Sequence, residues 1–179
     1  FSQIYSFRTL PDNSSNSILR FVLLSDTHSP DSSAVHQVMR SVNGKVNELY
    51  GPGGIDVHVN GILHSGDIVV NGSNLEQYTS QFFHPLSLLS PRLPTMVVAG
   101  NHEGENPFFY TYLKIDSFSA FPKKAELNEK IWSLRTGNTL FIGLNSNITA
   151  SYGTQEAAWL DVRLNEAEQD TSIDFVFLF

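Results

Sequence analysis

Short apolar, β-prone runs alternate along this chain with longer amphipathic stretches, which predicts strands and helices in turn. Residues 18–25 read as a strand that ends at Asp26. Val35, Val38, Met39, Val42, Val46 and Leu49 then recur at intervals of three and four, one strip of a helix of roughly 17 residues. Ser32 or Ser33 is positioned to cap it, and Gly51-Pro52-Gly53-Gly54 stops it. A second strand over 55–63 runs into His64-Ser65-Gly66-Asp67. Leu75, Tyr78, Phe82, Leu86 and Leu89 share one face of a helix over 75–89, and Pro91 and Pro94 flank the turn into a third strand at 95–99. Asn106-Pro107 opens a short helix through Leu113, with Pro at its first position. Segments 130–135 and 139–144 suit an antiparallel hairpin across Thr136-Gly137-Asn138. Thr154 is placed to cap a last helix, with Ala158, Leu160, Leu164 and Ala167 facing inward near Trp159, and 174–179 returns as a strand. This βαβα order argues an α/β fold with a mainly parallel, buried sheet and helices outside.

Both ends have the character of a piece of a longer chain. Residues 1–10 read as an isolated strand, followed by a polar linker at 11–17. The run 173–179 (IDFVFLF) is a buried-type strand with neither turn nor cap after it. Bare apolar β-sequence at a terminus is an aggregation hazard, so the expectation is that more chain follows.

Composition narrows the field. The chain has 179 residues, enough for one domain with a real core, and is 41% apolar and 16% charged, as soluble globular proteins are. A net charge of −7 leaves no basic stripe for a nucleic-acid polymer. A small phosphorylated substrate stays open, because bound cations would reverse the local field. No apolar run is long enough to span a bilayer, and there are no cysteines to report a redox compartment. Asn13, Asn71 and Asn147 stand in Asn-X-Ser/Thr sequons and are candidate N-glycosylation acceptors, which leans toward a secreted, secretory-pathway or vacuolar location over a cytoplasmic one.

The candidate chemistry sits where strands end. Asp26-Thr27-His28, Gly66-Asp67 and Gly100-Asn101-His102-Glu103 each follow an apolar run, and successive motifs lie about 40 and 35 residues apart. Asp26 and His28, two apart in extended chain, present their side chains on one face and can reach one cation together. Gly66 lets the backbone turn sharply so that the Asp67 carboxylate can bridge two ions. Asn101 offers a neutral carbonyl ligand, and His102 points past the metal toward a bound phosphate. Glu103 suits a carboxylate that orders the loop better than a direct ligand. Taken singly, each motif also has a bland reading as a turn or a solvated side chain; the three together at strand ends do not. The donor set suits two divalent or trivalent ions, with Mn, Zn and Fe as candidates. His64 reads as a packed strand residue, His36 as solvated, and His58 and His84 as lacking a partner in sequence.

This trio resembles the calcineurin-like metallophosphoesterase superfamily. Residues 5–11 look like the last strand of the fibronectin-III-like domain that precedes the catalytic domain of purple acid phosphatases. Tyr152-Gly153-Thr154-Gln155 with Trp159-Leu160 is also similar to that branch. The resemblance implies an α/β/β/α sandwich over 18–179, incomplete at its C-terminal end, with 1–17 as the end strand of a preceding domain plus linker. It implies that Asp26 and His28 bind metal one, Asp67 bridges, Asn101 binds metal two and His102 acts catalytically near the leaving group. The implied activity is hydrolysis of phosphate monoesters by a hydroxide activated between two metals. The alternatives are a phosphodiesterase acting on nucleotides or lipid head groups, and a non-catalytic binding module. Two departures matter. His28 and Val70 stand where purple acid phosphatases carry Gly and the colour-giving Tyr, so a colourless site is expected. The family's later His and Gly-His-X-His motifs are absent, so the chain as given is expected to bind metal weakly and turn over poorly.

Overall fold

The computed structural model describes residues 4–14, 17–114, 127, 129–147 and 150–179, with the backbone alone at 150–154. Residues 1–3 and 15–16 of the predicted strand and linker, and the side chains of Tyr152 to Thr154, lie outside the described residues. Two three-stranded sheets form the centre, ordered β1-β2-β3 and β4-β5-β6. Strands β1 (Phe21–Leu24), β2 (Gly61–His64) and β3 (Thr95–Val97) are all parallel, registered as Phe21 opposite Gly61 and Ile62 opposite Thr95. β4 (Trp132–Thr136) and β5 (Thr139–Gly143) form the predicted antiparallel hairpin, and β6 (Phe175–Leu178) runs parallel to β5.

The period-two side-chain alternation of these strands builds three apolar layers. Ile62, Val97 and Ala99 face the helices α1 (Ser32–Tyr50) and α4 (His84–Leu86), meeting Val35, Met39, Leu86 and Leu89. Their neighbours Leu63, Met96 and Val98 face the other way and meet Trp132 and Phe141 between the two sheets. On the far side of the second sheet, Leu140 and Ile142 pack against Trp159 and Ala167 of α6 (Ala150–Gln169). The result is helix, sheet, sheet, helix: the α/β/β/α order that the resemblance implied. No helix among the described residues is long and apolar enough to cross a membrane.

Several elements differ from their sequence pattern, each for a local reason. The predicted strand over 55–63 begins with a helical turn, α2 (Ile55–His58). Gly54 opens that turn, and the buried Asp56 is held by Arg92 at 3.2 Å. Asp31, not Ser32 or Ser33, caps α1, its carboxylate accepting from the Ser33 amide at 2.9 Å. Val38 and Leu49 stay exposed on α1. The helix predicted over 75–89 is three short pieces, α3 (Leu75–Gln77), a π-helical turn (Tyr78–Phe83) and α4, to which His84, Pro85 and Leu86 belong. Pro85 has no amide to donate to the Gln81 carbonyl, and its ring would meet that carbonyl in a regular α-helix. After β3, α5 (Pro107–Tyr112) follows as expected, capped by Asn106. Helix α6 starts at Ala150, so Thr154 lies within it and is not its cap. Ala158 and Leu164 face solvent; the inner face is Trp159, Arg163 and Ala167, at four-residue spacing, with the expected Leu160 partly buried against the same cluster. Residues 4–10 pair with no strand.

Candidate metal centre

Parallel strands deliver their carboxyl ends to one edge, so the loops after β1, β2 and β3 emerge side by side. Backbone bonds then knit those loops together. The Asp26 amide donates to the Gly66 carbonyl at 3.2 Å, the His28 amide to the Asp67 carbonyl at 3.1 Å, and the Gly72 amide to the His102 carbonyl at 2.9 Å. Asp26 and Asp67 hold left-handed backbone, at φ 51° and 55°. That conformation is uncommon outside glycine and concentrates where a site dictates it. Crowding explains Gly66, before Asp67, and Gly100, before Asn101. A Cβ on Gly66 would lie 2.5 Å from the Gly100 amide nitrogen, and one on Gly100 would lie 2.1 Å from the Asp67 Oδ1.

His28, Asp67 and His102 bring one ligand atom each to within 4.8 Å of one another. The His28 and His102 rings stack with centroids 4.3 Å apart. His102 is fixed at both ends. Its amide donates to Asp67 Oδ1 at 2.9 Å, and its Nδ1 lies 2.7 Å from the Val70 carbonyl. A carbonyl only accepts, so Nδ1 carries the proton and Nε2 is the ring's free coordinating atom. Two imidazoles and a carboxylate, with one imidazole oriented through its other nitrogen, form a donor set that fits a first-row divalent cation. Asp26 and Asn101 stand beside this group on the same loops but are exposed; the Asp26 carboxylate accepts from the Ser25 hydroxyl. Asp26 is not within the three-residue cluster.

Glu103 orders the site from below. Only 2% exposed, it accepts four backbone amides. Its Oε2 takes Asp67 and Gly100, each at 2.8 Å, and its Oε1 takes Ile68 at 2.8 Å and Val69 at 3.1 Å. One carboxylate thus ties the second loop to the third. The following backbone is held by the π-helical turn and by α3: Gln81 accepts from the Val70 amide at 2.8 Å, and Gln77 from the Asn71 amide at 2.7 Å. Tyr78 donates its hydroxyl to the Gly72 carbonyl; burial and the Glu103 charge push its pKa up to about 12.

The remaining polar residues near the edge were less legible. His64 is a buried strand residue, as its pattern suggested, and burial pulls its pKa down to about 4. The Gly66 amide donates to its Nδ1 at 3.2 Å, so Nε2 carries the proton and donates to the Thr27 hydroxyl at 2.9 Å. His36 and His84 are partners of each other: His36 Nε2 lies 3.1 Å from the His84 carbonyl, and the rings meet edge to face. The sequon asparagines differ sharply. Asn13 and Asn71 are exposed, whereas the Asn147 carboxamide is spent on the Ala99 and Gly100 carbonyls. Asn145, fully buried, reaches Glu105 at 2.9 Å and the Tyr110 hydroxyl at 3.1 Å, and its amide donates to Glu156 at 2.7 Å. Burial raises the pKa of both Tyr110 and Glu156. A polar pair directly after β5 was the available signal, the same signal that exposed the other strand-end motifs.

The sequence model of the calcineurin-like phosphoesterase family matches residues 19–177. The fold is similar to that of a purple acid phosphatase isolated from yellow lupin (Lupinus luteus) seeds, with a TM-score of 0.67 at 12% identity. That similarity covers 94% of this chain and 31% of the lupin chain, so this chain spans about a third of its solved relative. No curated protein sequence matches.

Proposed function

Because the chain belongs to the calcineurin-like phosphoesterase family, we propose that it carries metal-binding residues of a hydrolase for small-molecule phosphate monoesters. The observation that carries this reading is the meeting of His28, Asp67 and His102 within 4.8 Å at the ends of three parallel strands. In it, Asp26 and His28 would hold one cation, Asp67 would be shared, and Asn101 would hold a second, with Mn, Zn or Fe as the ions. Such a pair supplies positive charge that draws in a phosphate and acidifies water.

The chain's own residues do the rest. Glu103 and the loop-to-loop backbone bonds fix Asp67 in place before any ligand arrives, so little reorganisation accompanies binding. His102 is locked through Nδ1, and its Nε2 faces the site. With a proton there, it gives that proton to the ester oxygen as the phosphorus–oxygen bond breaks, a contribution of about 10²–10⁴ in rate. Its place inside the donor cluster supports a second role, in which a neutral His102 is itself a ligand.

Two measurements decide. The full protein, supplied with Mn²⁺, Zn²⁺ or Fe²⁺, is expected to hydrolyse p-nitrophenyl phosphate faster than its bis-ester. Reversal of that order makes it a diesterase, and inactivity on both with every ion refutes the hydrolase reading. In His102→Ala, turnover falling by about 10²–10⁴ with full metal content identifies the proton donor. Parallel loss of metal identifies the ligand.

A further inference from the structure

A side chain just past the second sheet grips the backbone of the metal loop. Asn147 follows β5, yet its Nδ2 donates to the Ala99 carbonyl at 3.2 Å and to the Gly100 carbonyl at 2.9 Å. These are the last two carbonyls before Asn101 and His102, just past the point where β3 stops pairing with β2. Consecutive carbonyls point in different directions in a strand, so one planar amide holding both fixes the turn of the chain between them. Asn147 is itself anchored. Its amide donates to Asn145 Oδ1 at 3.0 Å, and Asn145 is bound to Glu105, Tyr110 and Glu156. The clamp therefore runs from α6 and the hairpin to the loop that carries the candidate ligands.

We propose that Asn147 is a positioning residue of the metal site: by gripping the Ala99 and Gly100 carbonyls it sets the direction in which Asn101 and His102 leave β3. It touches neither cation nor substrate. The inference rests on the metal reading given above. It also reassigns the sequon at Asn147, because the nitrogen that a glycan would need is the one that makes the clamp.

The test uses the full protein and Asn147→Asp, which keeps the shape but turns an oxygen toward two carbonyl oxygens. Cobalt(II) absorption reports ligand geometry, and calorimetric titration with Mn²⁺ reports affinity. Expected are a changed Co²⁺ spectrum and Mn²⁺ binding weakened about tenfold or more, the usual scale for groups that orient ligands. Val46→Ala, which empties part of the distant helix–sheet core, lowers the melting temperature but keeps both parental signals. If Asn147→Asp does not fold, Asn147→Ser removes the clamp without adding charge and is read the same way. An unchanged spectrum and affinity in either folded variant overturns the proposal, as does a glycan found on Asn147. Failure of the parent protein to bind Co²⁺ or Mn²⁺ overturns the metal reading, and the positioning role with it.

Discussion

Glu103 accepts four amides from two loops and is almost wholly withdrawn from solvent. Among the described residues its charge is satisfied by backbone dipoles and not by a cationic side chain, a geometrically demanding way to bury a carboxylate. Glu103→Gln keeps one oxygen for Ile68 and Val69 but turns an NH₂ toward Asp67 and Gly100. Two partly buried donors are orphaned, so a loss of about 2–4 kcal/mol in urea unfolding is expected; a loss below about 1 kcal/mol would show that water replaces the carboxylate. At this scale the sequence was informative where chemistry is local. Asp67, His28 and His102 could be picked out because each sits three or four residues past an apolar run. At Asn147 the polar residue past β5 was visible but its role as a clamp was not, because its partners are 47 and 48 residues away and meet it through the packing of one sheet on the other.

Among the elements, β2 carries the pH response. His64 is wholly buried, and its neutral ring is fully used: Nδ1 accepts from Gly66 and Nε2 donates to Thr27. A second proton would face the Gly66 amide, and burial drops the folded pKa from 6.5 to about 4, against the opposing pull of Asp26 and Asp67. Between those values the unfolded chain binds more protons than the folded one. The contribution is complete above pH 6.5, falls as pH drops through the window, and levels off below about 4. Its full size is on the order of 3 kcal/mol. Melting of metal-free protein from pH 8 to 4 should show this decline, and His64→Gln should flatten it; equal slopes would assign the decline to carboxylates. The elements also mark where periodicity misleads. Val57 and Val59 look like strand residues, but the Gly53-Gly54 entry and the Asp56–Arg92 pair wind 55–58 into a helical turn. The apolar strip over 75–89 has the right spacing, yet Pro85 forces a wider turn, which turns Gln81 toward the metal loop.

Taken whole, the molecule leaves one side of its sandwich open. β1 and β6 are both edge strands, and between them lies an apolar cleft of about 660 Å³ lined by Leu23, Leu63, Phe141, Phe175, Phe177 and Phe179. Leu23 is 74% exposed and Phe177 53% exposed. Unpaired edges beside exposed apolar surface favour chain-to-chain contact. The chain is therefore expected to show mass rising with concentration in light scattering, and Leu23→Lys to suppress the rise with little change in melting; a concentration-independent monomer mass would contradict this. The parallel sheet with helices outside was legible in the βαβα order, whereas the second sheet layer was expected only from the family resemblance. The open side was foreshadowed only by the bare apolar run at 173–179.

The left-handed backbone at Asp26 and Asp67 also limits how this centre can decay over generations. Asparagine and glycine sit comfortably at such angles, while bulky or branched residues do not. A lineage that abandoned catalysis but kept the architecture would leave a narrow trace, amide or glycine in place of acid, before any wider erosion of the turns.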